Sequence, residues 1–204
     1  MTYFTETTAK ARIRRLAPIH AFFAALVIVS MAAMLPAKAR AQAADTYTAQ
    51  EIVDAGHNFF GATSGGLASV IEQIFSRYGL PNGYVLGQEG AGAFVGGLTY
   101  GEGTLYTKNA GDHTVFWQGP SVGWDFGADG NRTMMLVYDL QSISGLYGRY
   151  GGVSGSAYLL AGVGFNVMKR GNVLLVPVRT GVGARLGVSL GYLKVTPMPT
   201  WNPF

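Results

Sequence analysis

Apolar and polar residues alternate with a period of two through most of the chain after Tyr84, and the pattern is clearest in the central stretch Phe116 to Asp139, FWQGPSVGWDFGADGNRTMMLVYD. Val122, Trp124 and Phe126 share one parity there, and Met134, Leu136, Tyr138 and Leu140 share one further on. Asp129-Gly130 between them supplies the left-handed backbone that a two-residue turn requires, so the stretch predicts a β-hairpin. Alternating segments near 84–89, 92–100, 102–108, 113–118, 121–127, 132–140, 156–169, 172–180 and 183–195 predict eight or nine strands in all. The last two read as a long seam: Leu174, Val176, Val178 and their even-numbered successors to Tyr192 are mainly apolar. The other parity, with Arg179, Gly181, Gly183, Arg185 and Gly187, is mostly free of bulky side chains.

Before Tyr84 the period is helical. Thr48-Ala49-Gln50-Glu51 matches a capping box, followed by an apolar stripe of Ile52, Val53, Phe59 and Phe60 that Gly56 interrupts. Leu67, Val70, Ile71, Ile74, Phe75 and Tyr78 lie on one face of a second helix, with Ser64 as its predicted cap and Gly79 and Pro81 as its stop. At the other end, Pro197, Pro199 and Pro203 keep the tail out of any ladder, and Trp201 and Phe204 are expected to dock on the barrel as a lid.

The first residues change the reading of the charge. Lys10, Arg12, Arg14 and Arg15 precede an apolar run from Ala21 to Leu35 and two Ala-x-Ala sites, Ala37-Lys38-Ala39 and Ala39-Arg40-Ala41. This is the pattern of a removed Sec-type signal peptide over residues 1 to about 41, and the run is shorter than the ~20 residues of a spanning helix. Six of the 15 basic residues but one of the 11 acidic ones fall in that leader, which leaves the exported chain near −1. A domain without a basic stripe is not expected to bind nucleic acid. The chain has no cysteine, so its fold must hold without disulfides.

All 30 glycines follow residue 55. Glycine at that density weakens strands unless sharp coiling or close backbone approach requires it, which points to the corners of a small closed barrel. The expected fold is therefore mainly β with N-terminal helices (α+β), a small soluble antiparallel β-barrel of about eight strands. Its expected organisation is a signal peptide over 1–41, a helical segment over 42–82 packed on the barrel, the barrel over 83–196 and a Pro-rich tail over 197–204.

Candidate chemistry is sparse. Gly119-Pro120-Ser121-Val122-Gly123 fits a nucleophile-elbow pattern, but a strand rather than a helix is predicted to follow, and no histidine lies beyond His113. His57 and His113, the latter beside Asp112, lack metal-ligand spacing. Glu89, Glu102, Asp125 and Asp139 are the carboxylates that a glycosidic acid–base pair would draw on. Gly90-Ala91-Gly92 and Gly181-Val182-Gly183 do not complete a dinucleotide fingerprint, so no cofactor is expected. Aromatic rings offer more: Trp117, Trp124, Tyr147 and Tyr150, with Arg149 beside them, are the candidate lining of a ligand or partner groove. Tyr138 and Tyr158 are further aromatic candidates.

The segment WQGPSVGWDFGADGNRTMMLVYDL resembles the central motif of the envelope integrity protein A family, a domain of unknown biochemical activity in Gram-negative bacteria, and GVGARLG, GYLK and the final PTWNPF continue the likeness. The resemblance implies a small soluble β-barrel and a role in envelope integrity. Residues and resemblance together lead to an expected non-catalytic periplasmic protein that binds an envelope lipid, a polysaccharide or a periplasmic protein, and spans no membrane after leader cleavage. The alternatives are an envelope hydrolase using Ser121 or a carboxylate pair, an outer-membrane β-barrel, and a lipid-binding domain.

Overall fold

A computed structural model describes residues 45–61, 65–92, 98–120, 131–154, 158–160, 162–180 and 191–202. The leader, Ser64, Ser121, the 121–130 segment with Trp124, Asp125 and Asp129-Gly130, the 181–190 part of the late seam, and Phe204 lie outside them.

Helix α1 (Ala49–Phe60) begins as its sequence dictates. The Thr48 amide donates to Glu51 Oε2 at 2.7 Å and the Glu51 amide donates to Thr48 Oγ1 at 3.3 Å, the two bonds of a capping box. Ile52, Gly56 and Phe60 are its buried face. Gly56 is thus part of the stripe rather than a break in it: a Cβ there would overlap the end of the Leu67 side chain, so the glycine sets how closely the second helix approaches. Helix α2 (Leu67–Tyr78) buries Leu67, Val70, Ile71 and Ile74. Its N-cap is Gly66, with no side-chain cap, instead of the expected Ser64, while Gly79 ends it by donating to the Phe75 carbonyl.

Ten strands follow: β1 (Gly83–Gly92), β2 (Leu98–Thr107), β3 (Gly111–Pro120), β4 (Asn131–Tyr138), β5 (Gly148–Gly152), β6 (Tyr158–Leu160), β7 (Val163–Phe165), β8 (Met168–Arg170), β9 (Val173–Thr180) and β10 (Tyr192–Thr196). A one-turn helix, α3 (Ile143–Leu146), joins β4 to β5. Strands β4, β1, β2, β3, β10, β5, β8 and β9 are neighbours in that order, and β4 pairs with β9 to close an eight-stranded antiparallel barrel. Strand β7 continues along the β9 edge beyond β8 and carries β6 outside the ring.

This topology corrects the predicted central hairpin. Between Thr133 and Val137, β4 has β1 on one edge and β9 on the other. No edge is left there for a strand over 121–127. A strand has only two hydrogen-bonding edges, and both of β4's are taken; β3 and β4 have β1 and β2 between them in the sheet, and residues 121–130 lie outside those described. The predicted break near 101 is absent, since Leu98–Thr107 is the single strand β2, while Gly92 ends β1 and residues 93–97 lie outside those described.

Closure gives the wall two apolar sides. Inside lie Val85, Leu105, Val115, Trp117, Met135, Val137, Tyr150, Met168, Leu175, Leu193 and Val195. Outside, α1 and α2 cover Met134, Leu136, Val176 and Val178 with Ile52, Leu67, Ile71 and Ile74. Each buried aliphatic side chain contributes on the order of 1.5–3 kcal/mol, so the helices are fixed to the barrel by several such terms. Strand β9 is therefore buried on both faces, Val173 and Leu175 inward and Val176 and Val178 outward. The expected contrast of a greasy face and a bare one does not hold over its length.

Candidate functional site

The barrel interior contains one charged assembly. Glu89 on β1 accepts from Arg179 Nε through Oε2 and from Arg179 Nη2 through Oε1, both at 2.8 Å, and from Trp117 Nε1 at 2.8 Å. Both charged side chains are at least nine-tenths buried. Burial raises the Glu89 carboxyl pKa, but the Arg179 charge and the bonds from Arg179 and Trp117 outweigh it and hold the group below its ordinary range. The Trp117 indole needs room beside this pair, and two glycines supply it. A Cβ on Gly87 would stand 2.6 Å from Trp117 Cη2, and one on Gly101 would overlap the indole. These glycines lie within strands and face inward, so here the glycine content serves close packing inside the barrel and not its corners.

A groove of about 520 Å3 runs over β1, β2 and β3 beneath the C-terminal tail. The register places Gln88, Glu102 and Phe116 on one rung across the three strands, and Tyr100 and Gln118 on the next. All five have even parity, opposite to the inward-facing set, and all line the groove with Pro199, Thr200 and Trp201. Glu89, Gly101 and Trp117 reach it as well, so the interior assembly lies directly beneath it.

The tail is tied back by its main chain. Tyr100 Oη donates to the Trp201 carbonyl at 3.2 Å, and Lys194 Nζ donates to the Asn202 carbonyl at 2.7 Å. The Trp201 ring stands 5.5 Å from that of Tyr100 yet remains 85% exposed. Trp201 is therefore a wall of the groove rather than the docked lid expected of it. Gln118 is buried and donates from Nε2 to Thr196 Oγ1 at 3.3 Å, while its Oε1 has no hydrogen-bond partner. A buried amide oxygen without a donor costs about 1–3 kcal/mol, and Gln118 shares that state with the buried Thr133 and Tyr138 hydroxyls.

The aromatic candidates divide among different places. Trp117 is packed in the interior and reaches the groove. Tyr150 is fully buried, with its hydroxyl donating to the Leu146 carbonyl at 2.9 Å, and Tyr147 packs on the same interior cluster. Arg149 is exposed and donates from Nε to the Tyr192 hydroxyl at 3.1 Å. None of these last three lines the groove, so the structure does not bring the described members of the expected lining together. Tyr138 is buried beneath the helices, and Tyr158 sits against Arg77, whose guanidinium lies 4.6 Å from its ring centroid. Glu89 and Glu102 have opposite parity on paired strands; both border the groove, but Glu89 is committed to Arg179 and Trp117. His113 is engaged through Nε2 with the Ala110 carbonyl at 2.8 Å.

Tyr100, Phe116, Gln88 and Gln118 were not singled out by the sequence pattern. Their shared even parity in paired strands was the available signal, and it becomes readable only once the register is fixed.

The class of protein is thus a small antiparallel barrel with a packed interior, helices over part of its outer wall and an open groove over another part. The chain belongs to the Envelope integrity protein A family, whose model matches residues 45–204. It is similar to an uncharacterized, β-barrel-like protein from Brucella abortus known from its crystal structure. The two are 71% identical over 79% of this chain and 100% of that one, with a TM-score of 0.76. No curated protein matches the chain.

Proposed function

We propose that this protein supports envelope integrity as a non-catalytic periplasmic binding protein, which holds an envelope component in the groove between the β1–β3 wall and the Pro199–Trp201 segment. The observation that carries the reading is the open groove itself, which has Tyr100, Phe116 and Trp201 as aromatic walls and the exposed Gln88 and Glu102 as polar ones. Three further features support it. The interior is filled by large side chains such as Trp117, Tyr150 and Met135, which favours recognition on the outer wall. The most buried carboxylate, Glu89, is committed to Arg179 and Trp117, which leaves it poorly suited to acid–base work. The apolar outer face of β4 and β9 lies under α1 and α2 instead of facing lipid, contrary to the girdle of an outer-membrane barrel.

The test is complementation of a deletion strain challenged with detergent and wall-directed antibiotics. A Tyr100→Ala/Trp201→Ala chain is expected to be exported, to fold and to leave the strain sensitive. Full rescue by that chain would overturn the reading, as would a protein that osmotic shock fails to release.

A further inference from the structure

Resting on that reading, we infer that the groove recognises an uncharged glycan segment, with Tyr100 and Trp201 as the platform for sugar rings and the exposed Gln88 and Glu102 as the hydrogen-bonding set. The charge of the lining decides among ligand classes. No lysine, arginine or histidine lines the groove among the described residues. Of its two carboxylates, Glu89 is neutralised by Arg179, and the other, Glu102, is exposed. A phosphate, sulfate or uronate placed here would meet the Glu102 carboxylate, while the cations on the flanking strands, Lys194 beside Gln118 and Arg132 beside Gln88, are already bonded to the Asn202 and Phe59 carbonyls.

An acyl chain is disfavoured for a different reason. It would cover the exposed Gln88 amide and Glu102 carboxylate with groups that cannot hydrogen-bond, at the desolvation cost of both. A glycan satisfies both halves of the lining. Its C–H faces suit the rings of Tyr100 and Trp201, which stand 5.5 Å apart at 58° and so present two angled surfaces. Its hydroxyls can donate to the Glu102 carboxylate and pair with the Gln88 amide. The strands repeat about every 4.8 Å across the sheet, and alternate residues about every 7 Å along it, so the polar side chains form a grid on the scale of one sugar ring. The volume of about 520 Å3 is that of a small-ligand site open to an extended chain.

The experiment titrates the exported chain, and its Trp201→Ala and Glu102→Lys variants, by calorimetry. The probes are neutral tetrasaccharides of hexoses, 6-deoxyhexoses and N-acetylhexosamines, tetragalacturonate, pentalysine and phosphatidylglycerol vesicles. Because Trp201 is 85% exposed, its removal is expected to leave the fold intact, with circular dichroism as the check. The expected result is binding of at least one neutral tetrasaccharide, weakened roughly tenfold by Trp201→Ala. Tetragalacturonate should be refused by the native groove and gain affinity in Glu102→Lys.

Trp201-dependent binding of tetragalacturonate, pentalysine or vesicles, with no neutral sugar bound, would overturn the glycan inference and leave the groove reading standing. Binding of none of the probes, together with full rescue by Tyr100→Ala/Trp201→Ala in cells, would overturn both. Neutral sugar binding that Trp201→Ala does not change would place the glycan elsewhere and refute this inference.

Discussion

Replacing Glu89 by Gln tests whether the interior charge assembly is a stabilising unit. The substitution keeps the shape of the side chain but removes the charge and sets an amide N–H2 or a neutral oxygen against three donors, Arg179 Nε, Arg179 Nη2 and Trp117 Nε1, each now at 2.8 Å from a carboxylate oxygen. Arg179 remains 5% exposed and loses Glu89, its ion-pair partner among the described residues. Breaking a buried pair from one side costs about 3–5 kcal/mol, which for a domain of this size lowers the melting temperature by about 6–20 °C. Removing both charges, as in Glu89→Leu/Arg179→Met, leaves no unpaired charge, only the Trp117 Nε1–H without its acceptor, and should recover much of the loss. The assay is urea denaturation of the native, single and double variants, with an unchanged m-value as evidence that only stability has moved. A single variant within about 1 kcal/mol of native, or a double variant that loses the sum of the two singles, would refute the reasoning.

Gly101→Ala should destabilise by about 1–3 kcal/mol because its Cβ overlaps the Trp117 indole between two strands, and near-UV circular dichroism should report the displaced ring; an unchanged spectrum and stability would sink the packing argument. Thr48→Ala removes the hydroxyl half of the α1 capping box and should cost about 1 kcal/mol in the same denaturation assay, a loss that Thr48→Ser restores. Acid should destabilise the fold. The Thr48 amide, then Lys108 and the Thr48 hydroxyl, lower the Glu51 pKa from 4.5 to about 2, and Glu89 is also held below its ordinary range. A depressed folded-state pKa contributes its stability in full above the unfolded value, so stability should be level from pH 7 to about 5 and fall from there towards pH 2. Glu51 is solvent-screened, so most of the slope should vanish in Glu89→Leu/Arg179→Met, and an unchanged slope would assign it to other carboxylates.

Local signals carried the helices and most strand positions. The Thr48–Glu51 box, the 67–78 stripe and the Gly79 stop act within one turn of chain, and each appears where its residues predict. Pairing was not legible in the same way. The Asp129-Gly130 dipeptide favours a tight turn, but the hydrogen-bonding partners of β4 are chosen by burial on both of its faces, with Met135 and Val137 inward and Met134 and Leu136 under the helices. Satisfying both faces requires central neighbours, and β1 and β9 provide them. The same two-sided burial hid the role of the aromatics. Trp117 and Tyr150 were ambiguous between groove and interior because alternation assigns a side chain to a face without saying which face is inward. Glu89 was visible as a carboxylate, but its partner Arg179 lies 90 residues away and meets it only across the closed barrel.

The division of labour between core and groove gives a further prediction about the tail. Glu89 and Trp117 belong to both regions, so a change in either would confuse loss of fold with loss of binding. The tail belongs to the groove alone. Met198 is 71% exposed and Trp201 85%, and the segment is fixed mainly by two carbonyls that accept from Tyr100 and Lys194. Exposed residues held by so few contacts contribute little, so ending the chain after Thr196 should cost less than about 1 kcal/mol. The Gln118 Nε2 bond to Thr196 Oγ1 survives that cut, as do the pairs of β10 with β3 and β5. The truncated chain should therefore melt near the native temperature while failing to protect a deletion strain from detergent. A truncated chain that unfolds would make the tail a structural strap, and one that protects fully would remove the groove wall from the function.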